Sequence, residues 1–199
     1  MDAGLLHRQR PEMNIEFLLE ERSMLCFLEN LLPRILPPHF SLHHNVFLRP
    51  HNGKQDLFKS IPRKLSAAQY VNERTAFVVL HDQDSNNCIE LKQSILALFN
   101  NYAYPHLVRI PCRELENWYL GSPETLDLYF QKAIFTPLSK KKQLRDPDKH
   151  TGSQFIEGVV GAPLAKTEMA SFMGTHLDLD RTRSKSFEVF IQGIHNFLD

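Results

Sequence analysis

Apolar and polar positions along this chain follow two rhythms. Short β-branched, aliphatic or aromatic runs at residues 15–19, 40–48, 76–80 and 107–111 have the length and composition of strands. Between them, apolar residues recur at helical spacing. Leu25, Leu28, Leu32, Ile35 and Leu36 mark residues 24–36, with Ser23 as a candidate N-cap and Pro33 predicting an early bend or end. Leu57, Phe58, Ile61 and Leu65 mark residues 54–69, where Pro62 makes the helix imperfect. Cys88, Leu91, Ile95, Leu98 and Phe99 mark residues 88–100, after the capping residues Ser85, Asn86 and Asn87. A further helix is expected to open at Cys112, directly after the fourth strand, with Trp118 and Tyr119 in its apolar core. Four strand–helix alternations predict an α/β fold: a mostly parallel sheet with helices on both faces.

After Gly121 the rhythm changes. A short helix is expected from Ser122-Pro123-Glu124 through Phe130, then a polar, basic loop from Ser139 to Lys149. Two helices follow near residues 166–176 and 186–198, the second burying Phe187, Phe190, Ile191, Ile194 and Leu198. The expected organisation is a flexible extension over residues 1–13, an α/β core over 14–121, and a helical appendage over 122–199 packed on that core.

The strand ends carry the candidate chemistry. The run Phe77-Val78-Val79-Leu80-His81-Asp82-Gln83-Asp84 stops abruptly in two carboxylates one residue apart. The first strand ends likewise, in Glu20 and Glu21. In open α/β sheets ligands bind in the crevice outside the C-terminal strand ends. Anions gathered there repel one another unless a cation lies between them, most simply Mg²⁺ or Mn²⁺. The competing reading is a solvated loop in which Asp and Asn cap the next helix. Glu114 and Glu116 follow the fourth strand and are either further ligands, groups that orient the ligands, or acids favoured by a helix start. Lys54, after Gly53, is either a phosphate contact or an ordinary turn lysine.

Charge limits the partners. Lys and Arg total 23, equal to Asp and Glu, so the chain is formally neutral and tight non-specific nucleic-acid binding would need a local patch or a basic partner. The run Lys140-Lys141-Lys142 with Arg145 and Lys149 is the obvious patch, diluted by Asp146 and Asp148. Cys26, Cys88 and Cys112 are scattered, which argues against a disulfide framework or structural zinc. No apolar run reaches transmembrane length and residues 1–11 lack a secretion signal, so a cytoplasmic protein without membrane association is expected.

Four motifs come in a familiar order: Leu19-Glu20-Glu21-Arg22-Ser23, Gly53-Lys54-Gln55-Asp56-Leu57, Val79-Leu80-His81-Asp82-Gln83-Asp84 with Cys88 and Leu91-Lys92, and Arg113-Glu114-Leu115-Glu116-Asn117-Trp118-Tyr119-Leu120-Gly121. In this order they resemble a bacterial domain-of-unknown-function family with a Toprim-like domain, often encoded beside AAA or ABC-type ATPases. The resemblance runs from about Asn14 to the segment Ser186-Phe187-Glu188-Val189-Phe190. It implies a Toprim-like fold in which Glu20 takes the strand-end Glu position and Asp82 and Asp84 the later Asp-x-Asp, together holding Mg²⁺ as catalytic and metal residues. Toprim motifs usually place Gly after the Glu. This chain has Glu21 there, which leaves open whether Glu20 or Glu21 faces the metal. The function so implied is a Mg²⁺-dependent nuclease, or a nuclease effector of an ATPase-coupled defence against phage or plasmids. The alternative is a catalytically weak interaction module that docks on the ATPase.

Overall fold

The computed structural model describes residues 13–71, 73–141 and 145–199. Four strands, β1 (Met13–Leu19), β2 (Val46–Pro50), β3 (Arg74–Leu80) and β4 (His106–Arg109), form one sheet in the order β2-β1-β3-β4. Every pairing is parallel. This is the α/β architecture that the strand–helix alternation predicts, and it is compatible with the Toprim-like expectation.

The two-residue period of the strands divides the core between the faces. Ile15, Phe17, Leu19, Val46, Val78 and Leu80 face α1 (Arg22–Ile35), while Leu18, Phe77, Val79 and Val108 face α2 (Lys54–Ala68) and α3 (Cys88–Ala97). Nearly all of these side chains are fully buried, each stabilising the fold by about 1.5–3 kcal/mol. The chain leaves β1 over one face toward β2, and leaves β3 over the other face toward β4. The crevice between the C-terminal ends of β1 and β3 is therefore the topological switch point of the sheet.

The C-terminal half adds to the α1 face. It comprises α4 (Glu116–Leu120), α5 (Pro123–Phe130), α6 (Phe135–Ser139), α7 (Gly152–Val160), α8 (Lys166–His176) and α9 (Lys185–Leu198). Helix α8 lies along α1. Gly174 permits this, since a Cβ there would strike the Phe27 carbonyl. Arg34 closes the C-terminal end of α8, donating to the carbonyls of Gly174 (2.8 Å) and Leu177 (2.7 Å). Helix α9 packs Phe187 and Phe190 on Trp118, with ring centroids 5.1 and 4.9 Å apart. The Trp118 indole N–H donates to the Ser186 hydroxyl at 2.7 Å.

Several elements differ from expectation. Residues 40–45 form a turn rather than the start of a strand, and His43 adopts a left-handed φ of 64°. The Asn45 side chain closes this turn, accepting from the Ser41 N–H and donating to the His39 carbonyl. Pro33 does not shorten α1, because it falls in the last turn, two residues before the helix ends at Ile35. Ser23 is not its N-cap; Glu21 occupies that position and accepts a hydrogen bond from the Ser23 hydroxyl. The helix expected from Cys112 starts only at Glu116, since Arg113 has φ 63°. The expected loop from Ser139 to Lys149 contains a 3-10 turn at Pro147–Lys149, and two helices the pattern does not predict flank it, α6 ending at Ser139 and α7 starting at Gly152. Residues 1–12 of the expected extension, and Lys142 of the basic run, lie outside the described residues.

A candidate metal centre at the switch point

Loops from all four strand ends build the site. Parallel pairing continues past β1, where the Glu20 N–H donates to the Leu80 carbonyl at 3.1 Å. The loop after β2 grips the same point: the His51 N–H donates to the Leu19 carbonyl and the Gly53 N–H to the Glu20 carbonyl, both at 2.9 Å. Gly53 has φ 86°, a conformation that L side chains rarely adopt. The loops after β3 and β4 stay paired through Gln83 N–H to Pro111 carbonyl (3.2 Å) and Asp84 N–H to Arg113 carbonyl (2.7 Å). Asp84 itself sits at φ 52°. Non-glycine residues in this region cluster where surrounding structure holds them for a task.

These loops enclose a cleft of about 360 Å³ lined by Glu20, Glu21, Asp82, Asp84 and Glu114, with Arg22, His51, Asn52, Gly53 and Lys166 completing the wall. Five carboxylates thus meet two permanent cations. Glu20 and Asp82 are each 8 % exposed, Asp84 is exposed, and Glu116 lies behind the wall at 2 %. Glu20 and Glu21 both line the cleft.

Glu20 is the anchored member. Its Oε2 accepts from the Asp82 backbone N–H at 2.9 Å and lies 2.9 Å from His81 Nδ1. His81 is fully buried, and its Nδ1 also faces the Asp82 carbonyl at 2.6 Å. Both neighbours are acceptors, which assigns the ring proton to Nδ1. Asp82 is the strained member. Its Oδ1 is buried without a hydrogen-bond partner. Burial, followed by the charges of Glu116, Glu21, Glu20 and Asp84, pushes its carboxyl well above the usual range. Burial and then Glu20 also raise Asp84, against the pull of His81.

Glu116 and Tyr119 are buried near enough for the Glu116 charge to act on Asp82 and the Asp82 charge on Tyr119. The Glu116 Oε2 and the Tyr119 hydroxyl are buried and lack partners, as Asp82 Oδ1 does. Burial raises the Glu116 carboxyl although Lys166, 3.3 Å from its Oε1, pulls it down. Tyr119 is pushed well up by burial and by Glu116 and Asp82. Glu114 lines the cleft but also accepts from the Ser153 N–H in the first turn of α7, at 2.9 Å.

Lys54 is not part of the lining. Its Nζ donates to Asn86 Oδ1 at 3.2 Å and lies over the Phe58 ring. Of the cations that do line the cleft, Arg22 stands directly after Glu20 and Glu21, whereas Lys166 arrives from α8, far along the chain, with no sequence signal of that role. His81 was visible only as the polar residue that ends an apolar run.

The donor set suits a hard divalent cation, and Asp82 Oδ1 is a buried oxygen lacking any partner. Among the described residues no group of three His, Cys, Asp or Glu side chains is arranged to hold a metal outright. Mg²⁺ is commonly held by only one or two carboxylates, with water and substrate oxygens completing its shell, so the residues fit that ion. No helix among the described residues is long and apolar enough to cross a membrane.

The chain matches the family described as Domain of unknown function (DUF4276) over residues 19–195 and belongs to it. No curated protein and no solved structure matches it.

Proposed function

We propose that this chain is a Mg²⁺- or Mn²⁺-dependent phosphodiesterase acting on nucleic acid, with a Toprim-like site formed by Glu20, Asp82 and Asp84. The observation that carries the reading is Asp82, which lines an acidic cleft at the switch point of a parallel sheet and has a buried oxygen without a hydrogen-bond partner. Uncompensated buried charge is costly, and a divalent cation would remove the cost. The bound ion would supply Lewis-acid charge for a phosphodiester oxygen. The chain's own residues then divide the remaining work. Glu20, fixed by the Asp82 amide and His81, holds the β1 and β3 ends together; Asp82 and Asp84 supply oxygens; Arg22 and Lys166 offer positive charge to a phosphate at the rim. By the resemblance, the setting would be a bacterial defence system coupled to an AAA or ABC-type ATPase.

The test is metal-dependent cleavage. Wild type should nick plasmid DNA or cut RNA with Mn²⁺, alone or with its ATPase, whereas Asp82→Asn and Asp84→Asn should not. Undiminished cleavage by both variants would refute this site.

A second reading is favoured by one observation. Glu20 already commits an oxygen to the protein itself, and no group of three ligands stands ready among the described residues. The chain would then be a docking module for the ATPase, with the fold as scaffold. Calorimetry separates the two, since a docking module releases no heat with Mn²⁺.

A further inference from the structure

Resting on the cation reading of the cleft, we infer that Glu116 is the inner carboxylate of the cation site alongside Asp82, and that the Lys166 ammonium is the resident cation a divalent ion must displace. Two buried carboxylate oxygens of this region, Asp82 Oδ1 and Glu116 Oε2, lack hydrogen-bond partners, and Lys166, which pairs with Glu116, lines the same cleft as Asp82. Glu20 has its Oε2 committed, and Asp84 stands exposed at the rim. Asp82 and Glu116 are thus the acids of this region that each keep a buried oxygen without a hydrogen-bond partner.

Lys166 answers part of that need. Its Nζ lies 3.3 Å from Glu116 Oε1, and its side chain remains 46 % exposed while Glu116 is 2 % exposed. Lysine is a poor residue for this place on helical grounds: it is the first residue of α8, where the helix dipole disfavours positive charge. The carboxylate beneath it supplies the reason for the position. Lys166 lines the cleft, whereas Glu116, paired with its ammonium, is absent from the lining. Swinging this half-exposed side chain aside would open the inner carboxylate to the cleft. Occupancy of the site would thereby be linked to α8, and through α8 to the helix α1 along which it lies.

The experiment is a Mn²⁺ titration followed by electron paramagnetic resonance, with thermal melts in chelator and in Mn²⁺. Glu116→Gln should weaken Mn²⁺ binding at least about tenfold, and Lys166→Met should tighten it by about tenfold, the scale of 1.4 kcal/mol. Lys166→Arg should titrate like wild type. The double variant should bind like Glu116→Gln alone, because the lysine acts through that carboxylate. If wild type binds Mn²⁺ and Glu116→Gln binds it equally well, the inner-ligand assignment is overturned while the cation reading stands. If Glu116→Gln melts too low to titrate, Lys166→Met decides: unchanged affinity overturns the proposal. A wild type that does not titrate with Mn²⁺ overturns both.

Discussion

Replacing Asp82 by Asn should stabilise the metal-free protein while abolishing its metal response. The side chain is 8 % exposed, one of its oxygens has no partner, and four other carboxylates raise the cost of ionising it. An unsatisfied buried group costs about 1–3 kcal/mol, more when charged. Asn removes the charge at nearly constant volume, so about 1–3 kcal/mol should be recovered near neutral pH. For a chain of this length that corresponds to a melting temperature raised by roughly 2–12 °C. The sign with pH follows from linkage. The folded carboxyl titrates above its unfolded value of about 4, so between those two values the folded state binds more protons. Wild-type stability from this group therefore falls as pH rises above about 4, and Asp82→Asn should flatten that fall. The assay is differential scanning calorimetry in chelator from pH 5 to pH 8, repeated with Mn²⁺. Wild type should gain stability with Mn²⁺ and the variant should not. An Asp82→Asn protein that melts at or below wild type at pH 8 in chelator would refute the strained-carboxylate argument.

Gly174→Val should drive a side chain into the Phe27 carbonyl and force α8 off α1, lowering stability by about 1–3 kcal/mol in urea unfolding; an unchanged midpoint would contradict the close approach. Asn117→Ala should cost about 2–4 kcal/mol in the same measurement. The buried amide donates to the Pro147 and His150 carbonyls and accepts from the Gly152 N–H, and the variant loses all three of these bonds. Because the chain is formally neutral, the isolated protein should bind nucleic acid weakly and lose that binding with salt, and adding the proposed ATPase partner should strengthen it. Gel-shift titrations from low to physiological salt would check this, and tight, salt-resistant binding by the isolated chain would contradict it.

The part of the fold that positions the site was legible because its signals are local. Residues 15–19 and 76–80 are largely apolar runs followed at once, or after His81, by carboxylates, and neighbouring parallel strands bring Glu20 and Asp82 to one edge. Helix α7 was hidden because Gly152, Gly158, Val159 and Val160 are poor helix formers, and packing overrides their preference. Residues 40–45 read as strand by composition, but His43 and the Asn45 side chain turn the chain there. The cleft's cations were illegible for a different reason. Lys166 becomes a neighbour of the acids only through the tertiary arrangement, Arg22 follows Glu21 directly but a lone charge at a helix start does not announce a role, and Lys54 is drawn instead to Asn86 and Phe58.

The central claim, a divalent cation held at the β1/β3 switch point, is tested most directly by anomalous diffraction from crystals soaked in Mn²⁺. The account predicts an anomalous peak in the cleft at coordination distance, about 2.1 Å, from an Asp82 carboxylate oxygen. A soaked crystal with Asp82 free of metal, or with its peak only outside the cleft, would contradict it.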